Sequence, residues 1–336
     1  MAVDFNGTNI PGPTITGTTA GAPGNDELAS VVVKATFDKI IGFKLRSEPM
    51  YRRFATVSPL DVAYPGSSVD MFIQTQDLAL ATTPLGEYAD PDSVPLPAPE
   101  KVSMVLHEYG NAAVTTMRLR EESWASIDPY QAEILARNMR DSVDKLVEDV
   151  IFAQAGGISG NGFNRYNVPT AGGIAAGAGS GTAGDYGKIN SAALRRIVAN
   201  FRKANVQEFD DGNYIGMVHP DQSVDLREET DVAGWRFPHT EINANTFLWN
   251  GSIGVYENIQ FLESPRIPVT NGVYDALFLA KQALAEGVVR DFSSVVTPQI
   301  DKFRRLFGLG WYGFAGWCIY REEAGAILET SSSAVA

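Results

Sequence analysis

Residues 128–157 read DPYQAEILARNMRDSVDKLVEDVIFAQAGG, and this segment is the longest helical pattern in the chain. Asp128 has the side chain of an N-cap, Pro129 suits the first helical position, and Gln131 stands where a capping box needs it. Two glycines end the pattern. We therefore predict one helix over residues 128–156, which at roughly 40 Å is long enough to form a spine. Its apolar face consists of Leu135, Met139, Val143, Leu146 and Val150, widened by Ile134, Val147 and Ile151.

The residues before this helix, from Pro59 to Leu119, have the alternating apolar and polar pattern of β-strands. Two alternating runs flank residues 82–99, a segment with five prolines, which remove backbone donors and disfavour a regular strand. We expect two long strands joined by a stiff, acidic, projecting loop, because loops of this length usually have a function. The strand residues are Val69, Met71, Ile73, Val102, Met104 and Leu106, the loop acids are Glu87, Asp90 and Asp92, and the apolar residues that a monomer would leave poorly covered are Leu78, Leu80, Leu85 and Val94.

The chain begins with residues 1–24, which are rich in Gly, Pro and Thr and contain no Lys or Arg. This segment has neither helical nor strand periodicity, so it forms either an extended arm that neighbouring chains order or a flexible tail. An amphipathic helix is predicted next, from about Leu28 to Ile41, and it should end before Pro49.

Downstream of the long helix, residues 156–184 are of low complexity, which predicts a flexible boundary. A small α/β lobe should follow, with a helix over residues 190–204, a strand at 214–218 and a second helix capped by Asp221. The last segment, residues 303–328, is apolar and aromatic with regularly placed glycines. We expect it to form strands that pair with the earlier β region.

The composition of the 336 residues, 44% hydrophobic and 20% charged, is that of a folded protein with one large domain or two. The formal charge of −13 disfavours a free DNA-binding protein, because phosphate binding needs clustered Lys and Arg. The same charge suits the wall of a DNA container. The single Cys318 suits a reducing compartment, and the N-terminus predicts no secretion signal.

No common catalytic signature is complete in the sequence. Residues 181–189 resemble a phosphate loop, but Ile189 stands where the Ser or Thr that binds magnesium is needed. We therefore predict no catalytic, cofactor-binding or metal-binding residues and no enzymatic activity. Three weaker kinds of candidate remain. Ser159 and Ser180 could be nucleophiles but lack a nucleophile elbow, and the turn Asp210-Asp211-Gly212-Asn213 lacks the spacing of a calcium loop. The pairs His219 with Asp221 and His239 with Glu241 could bind a metal, but for the first pair a strand end and a helix cap are the simpler account.

The order of these parts resembles a tailed-phage major capsid protein of the Hong Kong 97-like fold. The likeness spans nearly the whole chain and lies in the order and spacing of its motifs. These motifs are Glu108-Tyr109-Gly110 followed by Ala113-Val114-Thr115, the 128–156 helix, His219-Pro220-Asp221 with Asp225-Leu226-Arg227, residues 252–258, and Gly308-Leu309-Gly310-Trp311.

The resemblance implies an α+β fold with an N-terminal arm at residues 1–45 and an extended β-hairpin loop at 57–110. It implies a peripheral domain, including the spine helix, from residues 46–56, 111–185 and 285–330, and an α/β axial domain at 186–284. Proteins of this family assemble into pentamers and hexamers of an icosahedral shell that encloses double-stranded DNA, usually with scaffold and portal proteins. We accordingly expect a virion capsid location after assembly in the host bacterial cytoplasm, DNA enclosed without sequence-specific binding, and no cofactor or membrane.

Subunits around five- and six-fold axes meet through heterologous contacts, which projecting arms and loops can supply. Our hypothesis is that the loop acids Glu87, Asp90 and Asp92 lie across Arg137 and Arg140 of a neighbour's spine helix. Some members of the family cross-link through a lysine on the extended loop. Lys101 is the only lysine between positions 45 and 144, and because no acid is marked to activate it, we predict no cross-link.

Three alternatives remain open at this point. A bacterial nanocompartment shell of the encapsulin type shares the fold and encloses protein cargo instead of DNA. A hydrolase with its active site in the 186–284 lobe is the second alternative. The sequence has only three histidines, and this small number argues against a hydrolase. A sugar-binding module would explain the aromatic residues but not the spine helix.

Overall fold

The structure is a computed structural model that describes residues 49–58, 68–74, 77–82, 84, 93–123, 127–152, 162–177, 183–229, 252–297, 303 and 305–333. The predicted N-terminal arm, the helix from Leu28 to Ile41 and the loop acids Glu87, Asp90 and Asp92 lie outside these residues. Within the described residues, no helix is long and apolar enough to cross a membrane.

The described chain forms fourteen strands and four α-helices, with 3-10 turns at Arg52–Phe54, Ala183–Asp185 and Glu322–Ala324. The strands are β1 (Ala55–Ser58), β2 (Ser68–Ile73), β3 (Glu100–Val105), β4 (His107–Thr116), β5 (Asn164–Asn167), β6 (Ala175–Ala176), β7 (Tyr214–Val218), β8 (Ser252–Tyr256), β9 (Ile259–Glu263), β10 (Val269–Thr270), β11 (Val273–Leu279), β12 (Leu284–Thr297), β13 (Leu306–Ile319) and β14 (Gly325–Thr330). The helices are α1 (Met117–Glu122), α2 (Ile127–Phe152), α3 (Ser191–Lys203) and α4 (Pro220–Glu228).

The predicted spine helix is α2, and it packs on a four-stranded sheet of order β1-β12-β13-β4. Its buried face includes Leu135, Val143, Val147 and Ile151, whereas Ile134 is exposed. Polar contacts fix the helix on the sheet, since Trp311 Nε1 donates a hydrogen bond to Asn138 Oδ1 at 3.0 Å.

The start of the spine helix differs from the prediction. The helix begins at Ile127, so Asp128 is its second residue and not its N-cap. The side chain of Gln131 donates to the carbonyl oxygen of Ala113 at 2.8 Å, so it bonds the sheet where a capping box was expected. The local sequence around Gln131 could not predict this bond, because Ala113 lies on β4, eighteen residues earlier in the chain.

The aromatic C-terminal segment pairs with the earlier β region, as predicted. Strand β13 runs antiparallel to β4, from Leu306 opposite Thr116 to Ala315 opposite His107, and antiparallel to β12 on its other side. The regularly placed glycines permit close approach of neighbouring groups. At Gly316, an added Cβ would overlap the carbonyl oxygen of Val105 in β3.

The α/β lobe is built on an eight-stranded sheet of order β6-β5-β14-β11-β7-β9-β8, with β10 on β11. Strands β5 and β14 belong to this sheet, although the sequence placed residues 164–167 and 325–330 in the peripheral domain. The described part of the segment that was predicted to be a flexible boundary therefore contributes two strands, β5 and β6. The sequence of β5, Asn-Arg-Tyr-Asn, has no apolar alternation that could signal it.

The helices of this lobe lie where they were predicted, with one change of cap. The Asn190 side chain accepts from Ala193 N and caps α3. At α4 the cap is His219, whose Nδ1 accepts from the backbone N of Asp221 at 3.2 Å, so Asp221 is not the capping residue. Gln222 completes the box by accepting from the backbone N of His219 at 3.0 Å.

One hydrophobic core connects the two sheets and the spine helix. A polar joint reinforces it where α2 meets the chain around Tyr51 and Arg266. The carboxylate of Asp144 accepts from the backbone N of Tyr51 at 2.8 Å, and Arg266 lies 2.5 Å from Asp141 and 3.5 Å from Asp144. The four-stranded sheet, the spine helix and the lobe are therefore held as one body.

Candidate assembly surfaces

The first candidate surface is the hairpin formed by β2 and β3, which pair only with each other among the described strands. The register places Val69 opposite Met104 and Met71 opposite Val102. At its root, Met104 and Leu106 are buried against the body. Further out the apolar side chains are uncovered, and we call this set the hairpin patch: Phe72, Leu78, Leu80, Val94 and Leu96, with Leu80 87% and Leu96 84% exposed. Leu85, which was predicted with them, lies outside the described residues.

The second candidate surface lies at the end of the four-stranded sheet where β4 leads into α1. Thr116 is opposite Leu306, Gly308 is opposite Thr297, and Met117 N donates to Arg305 O at 2.7 Å, so these segments converge. We call its exposed apolar residues the sheet-end patch: Val114, Met117, Leu119, Val295, Val296 and Phe303, with Val296 75% and Phe303 79% exposed.

Cationic groups sit beside aromatic rings at this second surface. The guanidinium of Arg120 lies 4.3 Å from the centre of the Phe307 ring, and that of Arg305 lies 5.5 Å from the centre of Phe303. Apolar residues bordered by charge are typical of interfaces. The two patches lie near opposite ends of β4, because the hairpin leaves the sheet next to His107 and the sheet-end patch lies around Val114 to Leu119. Ten strand residues span roughly 33 Å.

The predicted inter-subunit residues are only partly described. Arg137 is half-buried and forms an ion pair with Glu133 at 2.5 Å, so a carboxylate of its own helix already compensates its charge. Arg140, three residues further on, is exposed. Their hypothetical partners Glu87, Asp90 and Asp92 lie outside the described residues, so this contact stays a prediction in which Arg140 is the more available cation.

The described residues that were considered as metal-binding candidates make hydrogen bonds or ion pairs that stabilise the fold. Tyr274 donates from its hydroxyl to Asp221 Oδ2 at 2.7 Å, beside the capping His219. Asp210 lies 2.5 Å from Lys281 in a turn that closes through Gly212 N and Phe209 O. Within the described residues, no group of three His, Cys, Asp or Glu side chains is placed to hold a metal ion. Ser159, Ser180, His239 and Glu241 lie outside them.

Lys101 and Cys318 also have ordinary surroundings. The Lys101 ammonium lies 2.8 Å from Asp70 on the paired strand. Hydrogen bonds from Lys101 and Ser103 lower the pKa of the Asp70 carboxyl. Burial raises the pKa of the Cys318 thiol to about 11, so this side chain is protonated at neutral pH and is a poor nucleophile.

The buried polar groups that hold the lobe to the spine helix were not predicted from the sequence. Arg165 of β5 lies 2.9 Å from Glu329 of β14 and donates to the carbonyl oxygen of Phe152 at the helix end. Tyr186 donates to the other oxygen of Glu329 at 3.0 Å. These partners are distant in sequence, and their charges have no local spacing that would mark them.

Comparison with known proteins identifies the fold. No protein-family model matches the sequence, and no curated protein matches it. Among solved structures, the chain is similar to the capsid of a native GTA particle, with 18% identity, a TM-score of 0.58, and coverage of 88% of this chain and 95% of that one. It is similar to the capsid of Ralstonia phage GP4, with 12% identity, a TM-score of 0.59, and coverage of 89% and 95%.

A third similar structure is the capsid of Myoviridae phage XM1, with 12% identity, a TM-score of 0.58, and coverage of 93% of this chain and 100% of that one. The chain therefore has the tailed-phage major capsid protein fold, the Hong Kong 97-like fold that the sequence predicted. At these identities the likeness concerns the fold, so function is argued from the surfaces.

Proposed function

We propose that this chain is a major capsid protein that assembles itself into pentamers and hexamers of an icosahedral shell enclosing double-stranded DNA. The observation that carries the proposal is the hairpin patch, whose leucines project from the body without cover from the described residues. A capsid fold with an uncovered apolar extension is what a subunit needs when its neighbours complete its packing.

The energetics support association. Burying one large aliphatic or aromatic side chain contributes about 1.5 to 3 kcal/mol. The hairpin and sheet-end patches lie near opposite ends of β4, so one copy can contact different neighbours at the same time. Distinct patches on opposite sides produce heterologous contacts, which close into rings when the rotation permits.

For the partners, we propose scaffold and portal proteins during assembly and DNA held without sequence-specific contacts. The formal charge of −13 favours a wall that does not retain phosphate strongly. We propose the virion capsid as the location of the mature product, after assembly in the host cytoplasm, and we expect no catalytic activity. A nanocompartment shell of the encapsulin type predicts protein cargo in the particles and not DNA.

Negative-stain microscopy of the purified chain tests the proposal. We expect closed or partly closed shells with pentameric and hexameric units, and nuclease-protected DNA in particles from infected cells. A chain that stays monomeric at micromolar concentration in light scattering, with and without cell extract, would refute assembly. Particles that hold only protein cargo would favour the nanocompartment.

The contact between the loop acids and Arg140 is tested separately. Reversing Asp90 and Asp92 to Lys should hinder shell formation and leave the thermal unfolding of the subunit unchanged. The double variant Asp149→Lys with Glu228→Lys makes the same charge change at exposed positions outside both patches, and it separates a local contact from a general effect of charge. Normal shells from the loop variant would refute this contact without affecting the rest of the proposal.

A further inference from the structure

Although the protein as a whole is strongly acidic, all charged residues of helix α3 are cationic. Its apolar side, which includes Leu194 and Phe201, is buried against the sheet. Its charged residues are Arg195, Arg196, Arg202 and Lys203, and the helix contains no Asp or Glu. We call these four residues the basic stripe.

The spacing of the stripe aligns the charges in two rows. Arg195 and Arg202 are seven residues apart, as are Arg196 and Lys203, so each pair lies on the same side of the helix about 10 Å apart. Arg196, Arg202 and Lys203 are exposed and Arg195 is half-buried. Within the described residues, no ion pair joins Arg196 or Lys203 to a carboxylate.

The same lobe has an acidic tip at the ends of its strands. Two turns lie side by side there, since Tyr214 N donates to Asn258 O at 2.7 Å and the Asn258 side chain donates to Glu208 at 3.3 Å. The acidic tip consists of Glu208, Asp210, Asp211 and Glu257, and Lys281 neutralises only Asp210.

We propose that the basic stripe is the docking surface for the acidic tip of a second copy of this chain, so that successive lobes meet head to tail. This inference rests on the proposed self-assembly and names one contact within it. Charge complementarity selects the partner: copies with a net charge of −13 repel one another, and a basic surface facing an acidic one offsets that repulsion locally.

Within one copy, Arg202 and Glu208 both lie close enough to the Tyr214 hydroxyl to shift its pKa in opposite directions. The charges left for a second copy are therefore Arg196 and Lys203 on the stripe and Asp211 and Glu257 on the tip. Arg196 and Lys203 lie on the solvent side of α3, whereas Asp211 lies in the turn before β7 and Glu257 in the turn that joins β8 to β9. Two distinct and complementary surfaces on one lobe are the requirement for a heterologous contact that repeats around an axis.

A charge-swap series tests the contact on the full-length chain. The first variant combines Arg196→Glu with Lys203→Glu, the second combines Asp211→Lys with Glu257→Lys, and the third contains all four changes. All four positions are exposed, so circular dichroism should give the same melting temperature for each variant as for the parent. Assembly is measured by light scattering and particle counts in microscopy.

We expect each two-residue variant to lower particle yield by about tenfold, because like charges then face one another at each repeat of the contact. The four-residue variant should recover the parental yield, since the complementary charges are exchanged. Mixing the first and second variants should give partial recovery, because every contact between the two variants pairs opposite charges. Such copies can alternate around a six-fold axis but not around a five-fold axis.

The remaining outcomes overturn the proposal. Normal assembly of the first and second variants, or a four-residue variant that assembles no better than either, would show that the two surfaces do not meet. A first variant that forms normal shells but retains less DNA would assign the stripe to nucleic acid. A parental chain that fails to assemble would remove the proposed function itself, which is distinguishable from failure of this contact alone.

Discussion

At the scale of single residues, the buried charges of the lobe have unequal environments. Asp275 lies 3.5 Å from Arg165 and competes with Glu329 for that guanidinium. Burial raises the pKa of Asp275 to about 6, Glu329 adds to the rise, and Arg165 opposes it. The folded state therefore binds a proton on Asp275 more tightly than the unfolded chain does.

The substitution Asp275→Asn should change how stability depends on pH. Because the pKa of Asp275 is raised on folding, its stabilising contribution is complete below the unfolded pKa and is lost as pH rises through about 6. The free energy of unfolding of the variant relative to the parent should therefore increase by on the order of 2 kcal/mol between about pH 4 and about pH 7.5. Urea unfolding at both pH values measures it, and a difference that is constant with pH would contradict it.

Asp144 is the buried acid of the polar joint. One carboxylate oxygen accepts from the backbone N of Tyr51 and Arg52, and the other lies 3.5 Å from Arg266. Without the Asp144 carboxylate, the backbone N–H groups of Tyr51 and Arg52 lose their acceptor and the Arg266 guanidinium loses one of its carboxylates. Asp144→Ala should therefore lower the free energy of unfolding by about 3 kcal/mol.

Asp149 on the same helix is the matched control for Asp144. It is exposed and pairs with Lys145 at 3.1 Å, so Asp149→Ala should cost about 0.5 kcal/mol or less. Chemical denaturation of both variants gives the comparison. Equal effects would mean that the joint does not stabilise the fold.

At the scale of elements, the sequence predicted those whose signal is periodic and local. The spine helix, the hairpin strands, α3, β7 and α4 were found from apolar spacing and helix boundaries. Strand β5 was missed because its four polar residues are stabilised by the parallel partner β14 and by the Arg165 ion pair. The cap of α4 was predicted at Asp221, because acids are common N-cap residues, whereas the side chain of His219 accepts the capping hydrogen bond.

The hairpin is joined to the body through the close approach at Gly316, which lies opposite Gly287 in β12. A methyl group there would overlap the Val105 carbonyl and press on the Leu106 side chain. Gly316→Ala should therefore destabilise the subunit by about 1 to 3 kcal/mol and increase hydrogen exchange in β3. Gly184→Ala is the control, since a Cβ at that position meets nothing within 4 Å. Equal exchange in both variants would argue against this joint.

At the scale of the whole molecule, the assembly surfaces could be predicted only in part. The exposure of Leu78, Leu80 and Val94 was predicted from the projecting proline-rich loop, whereas Phe72 and Leu96 were not in the predicted set. The sheet-end patch was not predicted, because Val114, Val296 and Phe303 belong to segments far apart in sequence that only strand pairing brings to one end of the sheet. Their residue types are also those of ordinary strands.

This whole-molecule arrangement predicts that the sheet-end patch matters for assembly and not for folding. In the double variant Val296→Ser with Phe303→Ser, both side chains are already mostly exposed, so the free energy of unfolding of the subunit should change by about 0.5 kcal/mol or less. Particle yield should fall severalfold, because the proposed contact with a neighbouring subunit would bury both apolar side chains. Light scattering and microscopy of particles measure this yield.

The control for this variant removes exposed apolar side chains elsewhere. Val224 on α4 and Val269 on β10 are 48% and 44% exposed and belong to neither patch, so Val224→Ser with Val269→Ser should leave particle yield unchanged. If both double variants reduced assembly equally, the loss would reflect general surface hydrophobicity. A selective loss in the first variant would instead favour a neighbouring subunit on the sheet-end patch, because both double variants replace exposed apolar side chains by serine.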